Sequence, residues 1–478
     1  MAIKTGDRHS RLLFPPSLDE LVDTADPVRV YDAFVDGLDM ASLGFDMSES
    51  RVGAPVYDPR SMLKLLVYGY SYGIRSSRKL EQACYHNVSF IWLVGGIKPD
   101  HKTISEFRRA HKKRLKGVLR QCVQLCIKLD LIAGHTLFVD GSAMRANASI
   151  GKNWSEEKYK KFLSELDERL NLLLAECESQ DKSESDFPSL IKLEKELRSK
   201  EALRSRVEKI LSEFETSDAK TLNLTDKESV ISKSRQGTHA CFNSQIVTDD
   251  KNGLIVNSDA VSRSNDTSEF STQITQAEDV LDKECQVCCA DSGYSQLEDL
   301  SKIAERGTEV IVPNQKQASR KEVGAFDKSR FKYNGEKDEY ICPAGNRLPF
   351  YRDSKTSKGR EYRMKDFNVC LNCHHYGVCT EAKRGRSITR IPHEELKKTL
   401  ENKYESKEGQ DIYGRRKIRA EVPFGYIKRV MEAGYFLLRG REGARGELTL
   451  LCNGYNLKRM MQLIGIPQLL GILRGSEG

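Results

Sequence analysis

Near the N-terminal end of the chain, apolar positions recur with helical spacing. In residues 28–38 (VRVYDAFVDGL), Val28, Tyr31, Phe34, Val35 and Leu38 fall on one face. The stretch after Asp58, PRSMLKLLVYGYSYG, reads as a helix with Pro59 in its first turn and Gly73 at its end. SSRKLEQACYHN follows, with Ser77 as N-cap and Glu81 in the first turn. From DHKTISEFRR onward, Ile104, Phe107, Leu115, Leu119 and Cys122 keep helical spacing while the opposite side carries Lys and Arg. Short helices joined by tight turns, the last one basic, fit a helix-turn-helix unit as well as they fit an all-helical packing domain.

Residues 155–216 carry two apolar stripes, one through Phe162, Leu166, Leu170, Leu173 and Cys177, the other through Leu190, Leu193, Leu197, Leu203, Val207, Ile210 and Phe214. The polar SQDKSESDFP separates them, which predicts an antiparallel helical hairpin with charged outer faces and no catalytic candidate. The period then changes. HACFNSQIVTDDKNGLIVNSDAVS holds two apolar runs around the turn signal DDKNG, and so predicts a strand hairpin. STQITQAEDVLDKE reads as a helix, QVCCAD as a strand, QLEDLSKIAERG as a helix and TEVIVP as a strand. With LFVD at 137–140, these segments define an α/β core.

Two of these strands stop on an acid. Asp140 is followed by Gly141, and Asp291 by Ser292 and Gly293. Turn chemistry explains either acid alone. A pair at corresponding strand ends points instead to a shared site, because a hard divalent cation takes several oxygen ligands. A third carboxylate is then expected from a following helix, and Glu421 lies in the basic stretch DIYGRRKIRAEVPFGYIKR.

Charge strengthens that picture. The net charge of +8 is mild, but basic residues cluster at 108–116, 383–390, 414–419 and 437–445, which makes nucleic acid a candidate partner. A length of 478 residues suggests several domains or large insertions. No apolar run approaches the roughly 20 residues of a membrane span. The opening MAIKTGDRHSRLLFPP has no signal-type apolar region, so a bacterial cytoplasmic protein is expected. Most of the 13 cysteines sit in apolar contexts that suit buried, reduced thiols. Cys342, in CPAG, and Cys370, Cys373 and Cys379, in CLNCHHYGVC, are spaced differently. A CxxC pair with two further cysteines suits a structural four-thiolate zinc site, with His374 or His375 able to replace one ligand; free, packed thiols are the alternative.

Several segments together resemble the DDE transposases of bacterial insertion sequences, a branch of the RNase H-like, retroviral-integrase superfamily. They are VDGSAMRANAS around Asp140, GTHACFNSQIVTD with NGLIV and SNDTSEF, ADSGYSQ around Asp291, and RRKIRAEVPFGYIKR with ELTLLCNGYNLKRMM. PRSMLKLLVYGY and DHKTISEFRR extend the resemblance over most of the chain. It implies an RNase H-like mixed sheet, a catalytic triad of Asp140, Asp291 and Glu421, and two Mg2+ or Mn2+ ions held by those acids. Relatives carry a Tyr–Arg–Glu–Lys signature with two, three and six intervening residues. Tyr413 and Arg416 keep the first gap and Glu421 and Lys428 the last, but four residues separate Arg416 from Glu421. Either the helix is locally reshaped or Lys417 takes the arginine's place, and Pro423 should bend the helix or start a new one.

The resemblance also implies that Tyr413, Arg416, Lys428 and Arg429 contact DNA, joined by Arg108 and Arg109 of the basic N-terminal helices. Its partners would be terminal inverted repeats and target DNA, bound by a homodimer on paired ends, with no membrane. The domain organisation expected is an N-terminal segment (1–50), a helical DNA-binding domain (51–136) and a discontinuous RNase H-like core (137–151, 221–312 and 411–437). A helical-hairpin insertion (152–220), a Cys-cluster insertion (313–410) and a C-terminal helical segment (438–478) complete it. Two other functions remain open on these residues: a metal-dependent nuclease without strand transfer, and a non-catalytic DNA-binding repressor.

Overall fold

The computed structural model describes residues 16–47, 57–181, 187–216, 219–234, 237–319, 324–354 and 359–475. Residues 1–15, read above for the lack of a signal segment, and 182–186 of the polar linker in the hairpin lie outside the described residues.

The N-terminal helices form where the apolar spacing placed them, except for a short α4 that the spacing does not show. They are α1 (Val28–Asp36), α2 (Pro59–Ser71), α3 (Ser77–His86), α4 (Val88–Leu93), α5 (His101–Ala110) and α6 (Leu115–Lys128). Asp58 caps α2 by accepting from the backbone N–H groups of Arg60 and Ser61, with Pro59 in the first turn. Asp100 caps α5 through Thr103 N. The basic run at 108–116 straddles the break between α5 and α6, so its charges do not lie along one helix. The predicted hairpin is α7 (Glu156–Asp181) against α8 (Phe187–Thr216), with its own small core of Tyr159, Leu166, Val207, Ile210 and Leu224.

The central sheet has six strands: β1 (Thr136–Arg145), β2 (Val230–Ser234), β3 (Gly237–Asp249), β4 (Ile255–Val261), β5 (Val287–Cys289) and β6 (Glu309–Ile311). α9 (Phe270–Leu281) precedes β5, and α10 (Leu297–Ala304) precedes β6. The long β3 runs antiparallel to β1 on one side and to both β2 and β4 on the other. β5 and β6 continue the sheet beyond β1 in parallel. The result is a mixed sheet, and the βαβ connections through α9 and α10 account for its parallel half. One expectation is corrected. The first strand does not stop at Asp140 but continues to Arg145, because β3 offers partners from Asp249 opposite Leu137 to Cys241 opposite Arg145.

The segment expected as a Cys-containing insertion folds around a second sheet, an antiparallel meander of β7 (Lys332–Asn334), β8 (Glu339–Ile341), β9 (Arg347–Asp353), β10 (Arg360–Arg363) and β11 (Ser387–Arg390). Phe331, Tyr340, Leu348, Tyr362, Met364 and Ile388 form its core. After it come α11 (Glu394–Glu405), α12 (Lys407–Arg416), a π-helical turn (Lys417–Glu421), α13 (Val422–Arg429), α14 (Arg441–Ile464) and α15 (Ile466–Gly475).

α14 is buried along most of its length and packs against α2, α6 and β4. One hydrophobic core therefore runs from Val22 through the N-terminal helices and one face of the sheet to Leu473. The N-terminal helices share that core with the sheet rather than enclosing one of their own. The opposite face of the sheet carries a smaller core of Phe138, Cys289, Ile311, Tyr404, Ile412 and Ala420, which packs α11, α12 and the π turn onto the strands. Among the described residues, no helix is long and apolar enough to cross a membrane.

Candidate active site

Strand register brings the first two acids together. β1 and β5 are parallel, with Phe138 opposite Cys289. Side chains two apart on a strand share a face. Phe138 and Cys289 both enter the smaller core, so Asp140, two residues on from Phe138, projects from that same face. Asp291 stands two residues on from Cys289, just past the end of β5. Its carboxylate accepts from Gly293 N at 2.8 Å, which fixes it at the rim.

The third acid arrives from the helices covering that face. Lys417–Glu421 is π-helical, and this wider turn accommodates the residue that makes the Arg–Glu gap four instead of three. The helix is thus locally reshaped, and Arg416 and Glu421 are stacked: Arg416 Nη2 donates to Glu421 Oε1 at 2.7 Å. Arg416 Nη1 donates to Asp140 Oδ1 at 3.3 Å. Pro423 sits in the first turn of α13, which starts immediately after Glu421. Burial pushes the Asp140 carboxyl up to about 7; Arg416 opposes the shift, and the charges of Asp291, Glu421 and Asp266 add to it. Burial also raises Asp291, against the pull of the Gly293 N–H.

Asp266 is the acid that the sequence reading passed over. It lies in SNDTSEF, within the loop between β4 and α9, where no periodicity or strand end marks it. Its Oδ1 accepts from Asn243 Nδ2 at 2.8 Å and from Gln245 Nε2 at 2.7 Å. The two glycines beside the strand acids make room for it. A Cβ on Gly141 would overlap Asp266 Oδ1, and one on Gly293 would stand 2.9 Å from Asp291 Oδ1 and 3.2 Å from Asp266 Oδ2. The glycines that looked like turn chemistry, Gly141 directly after Asp140 and Gly293 two residues after Asp291, thus serve close approach of an acid.

The basic and aromatic residues divide into buried or half-buried and exposed ones. Arg416 is buried between its two acids, and Tyr413 is half-buried, edge-on to Tyr404 at 5.1 Å between ring centroids. Lys428 Nζ donates to Ser142 Oγ at 2.6 Å and to Ala143 O at 2.9 Å, which ties α13 to β1 just beyond Asp140. Arg429 is exposed. Arg108 corrects an expectation: it is 5% exposed and donates to Tyr70 Oη and Arg75 O, each at 2.9 Å, so no DNA strand reaches it in this arrangement. Its apolar neighbours on α5 face inward, and it turns in with them. Arg109 points outward, pairs with Glu106 one turn back on α5, and lines an open groove with Arg78, Lys102 and Ser105 between α3 and α5.

Cys342, Cys370, Cys373 and Cys379 converge on one cavity beside the second sheet, together with His375. Burial raises Cys379 against the pull of Arg386, and the other three cysteines add to the rise. Asn346 N donates to Cys342 Sγ at 3.3 Å, and Gly385, at φ +72°, packs closely on Cys370. The donor set suits zinc, although among the described residues no three His, Cys, Asp or Glu already stand in coordinating geometry. The same holds for the acids. Their oxygens are acceptor-only and hard, as Mg2+ or Mn2+ requires, and the guanidinium of Arg416 supplies the positive charge among them.

Residues 16–110 match a family described as a transposase domain (DUF772), and residues 341–461 match one described as a transposase DDE domain. The first match covers α1 to α5; the second runs from the end of β8 past the cysteines, Arg416 and Glu421 into α14. Together they bear out the resemblance to a DDE transposase of insertion-sequence type. No curated protein and no solved structure matches the chain.

Proposed function

We propose that the chain is a DDE transposase that binds the terminal inverted repeats of an insertion sequence, cleaves the DNA at its ends and joins them to target DNA. The observation carrying this reading is the convergence of Asp140, Asp291 and Glu421, from three distant segments, around Arg416 on one sheet face. The strand order supports an RNase H-like core, with the long antiparallel β3 beside β1 and two parallel strands beyond it.

Two divalent ions, when bound, would clamp the scissile phosphate and stabilise the attacking and leaving oxygens. Asp140, Asp291 and Glu421 would hold them. In the first displacement, a water oxygen bonds to phosphorus and the bridging P–O bond breaks, freeing a 3′-hydroxyl at the element end. In the second, that hydroxyl's oxygen loses its proton to solvent and bonds to a target phosphorus, while the target's bridging P–O bond breaks and the departing 3′-oxygen takes a proton from solvent. Arg416 aims Glu421 at the strand acids, and Lys428 fixes the end of β1. Arg429 on α13 and Arg109 in the α3–α5 groove are placed to meet phosphates, by attraction that carries no sequence information by itself. Paired ends would be held by a homodimer.

The deciding experiment uses Asp140→Asn in the full chain. Mg2+-dependent cleavage of the element ends should be abolished while binding to the same DNA persists. Cleavage at the unsubstituted rate would overturn the reading.

A further inference from the structure

We propose that Asp266 is a fourth metal-binding carboxylate of this site, serving the cation on the Asp291 side. This rests on the reading just given and extends it to a residue outside the Asp–Asp–Glu triad.

In β1 and β3, Gly141 pairs with Gln245 and Ala143 with Asn243. Paired residues share a sheet face and neighbours along a strand alternate, so both amide side chains stand on the face opposite the Asp140 side chain, over the space that Gly141 leaves empty. Asp266 fills that space. Both amides donate to its Oδ1, and both residues are buried, Asn243 at 6% and Gln245 at 0% exposure. Gln245 is fixed in turn by the hydroxyl of Tyr294, which donates to Gln245 Oε1. Three neutral side chains therefore orient one carboxylate, with no cation in contact with it among the described residues.

Its other oxygen is left open. Asp266 Oδ2 accepts no hydrogen bond among the described residues, and it lies against the same point at Gly293 as Asp291 Oδ1. A loop-anchoring role would engage the side chain with backbone N–H groups. Here only the backbone carbonyl of Asp266 joins the start of α9, accepting from Glu269 N at 3.1 Å. An aspartate with one oxygen saturated by rigid donors and the other unbonded near a second carboxylate has the form of a ligand held by supporting contacts. Two glycines, one beside each strand acid, admit it.

The test uses the full-length protein and Mn2+ as the probe, with bound ion counted by electron paramagnetic resonance. Asp266→Asn should weaken binding of one Mn2+ at least tenfold while the melting temperature without metal is kept. Asp266→Ser is the second variant should the first not fold. Direct ligation is read separately with Cd2+. Asp266→Cys should show thiolate-to-Cd2+ charge-transfer absorption above the Asp266→Ser background, since a soft thiolate favours that ion. Unchanged Mn2+ binding, or no added Cd2+ band, would overturn the proposal. Asp140→Asn separates the two claims: if it alone loses Mn2+ binding and cleavage, the transposase reading stands and Asp266 is only a loop residue. If Asp140→Asn also binds and cleaves normally, the reading of the whole site falls.

Discussion

Arg416 reaches Asp140 across 276 positions of sequence, its Nη1 3.3 Å from Oδ1, while Nη2 of the same guanidinium holds Glu421. The two acids are linked through a cation that cannot lose its charge at working pH. The link does two things: it offsets repulsion among the clustered carboxylates, and it sets the position of Glu421 before any ion arrives.

Removing that cation should expose the repulsion. Arg416→Ala is expected to cost about 3–5 kcal/mol in the absence of divalent ions, the usual penalty for leaving a buried charge unpaired. Mg2+ should restore part of the loss, because a ligand that binds only the folded state stabilises it. Thermal melts with and without Mg2+ check this. A melting temperature equal to that of the parent chain, in both conditions, would remove Arg416 from the site's electrostatics. Arg416→Lys should restore less than half of the stability, since a single ammonium cannot fork between two carboxylates.

The neighbours Arg108 and Arg109 should part company. Arg109→Ala and Arg429→Ala each remove an exposed cation and should weaken binding to end DNA, lowering the salt dependence by about 0.9 in the log–log slope for each phosphate no longer neutralised. Arg108→Ala should instead lower the melting temperature, because Tyr70 and Glu447 lose a buried partner. At temperatures where it stays folded, its salt slope should match the parent's. Fluorescence anisotropy across a salt series gives both numbers. A reduced slope for Arg108→Ala would place that residue on DNA after all.

The cysteine cavity predicts about one zinc per chain in protein purified without chelators. Cys373→Ser should lower that content, and chelation should expose the small core around Tyr340 and Tyr362 to proteolysis while the main core persists. Metal analysis finding no zinc would leave the four thiols as packing residues.

Much of this architecture was legible because period and spacing survive in sequence. Helices α1 to α3, α5 to α10 and the β3–β4 hairpin follow from apolar periodicity, whereas the six-residue α4 does not, and the N-cap of α3 is Ser76 rather than the expected Ser77. Other features carry no such trace. The strands β7 to β11 include three-residue segments such as KYN and EYI, too short for alternation to show. Gly141 read as a turn because an Asp-Gly pair looks the same whether the chain reverses or makes room for a neighbour. Only the fold shows Asp266 filling the gap. The four-residue Arg–Glu gap was visible, but its resolution by a π turn depends on how α12 packs on Phe138 and Cys289. Arg108 and Arg109 are adjacent and identical in type, and their separation into core and surface depends on the phase of α5 against α2 and α14.

The final prediction separates two glutamates that the sequence places 26 positions apart in one C-terminal basic region. Glu421 is exposed along one side, bonded to Arg416 and set against Asp140. Glu447 is fully buried in α14, where its carboxylate accepts from Leu437 N at 2.8 Å, from Leu438 N and from Tyr70 Oη at 3.1 Å, with Arg75 at 3.8 Å. That network joins α2 to the loop before α14 and faces none of the strand acids. Glu421→Gln should therefore reduce end cleavage by about a hundredfold or more, at the upper end of what metal-site partners cost, with an unchanged melting temperature and DNA affinity. Glu447→Gln keeps an acceptor for the two backbone N–H groups but removes the charge beside Arg75. It should cost about 1–3 kcal/mol of stability and leave the cleavage rate of the folded protein intact. Melting curves and single-turnover cleavage on the two variants decide the matter. If Glu421→Gln cleaves normally while Glu447→Gln folds and is inactive, the third acid of the site is Glu447, and the π turn has a purely structural role.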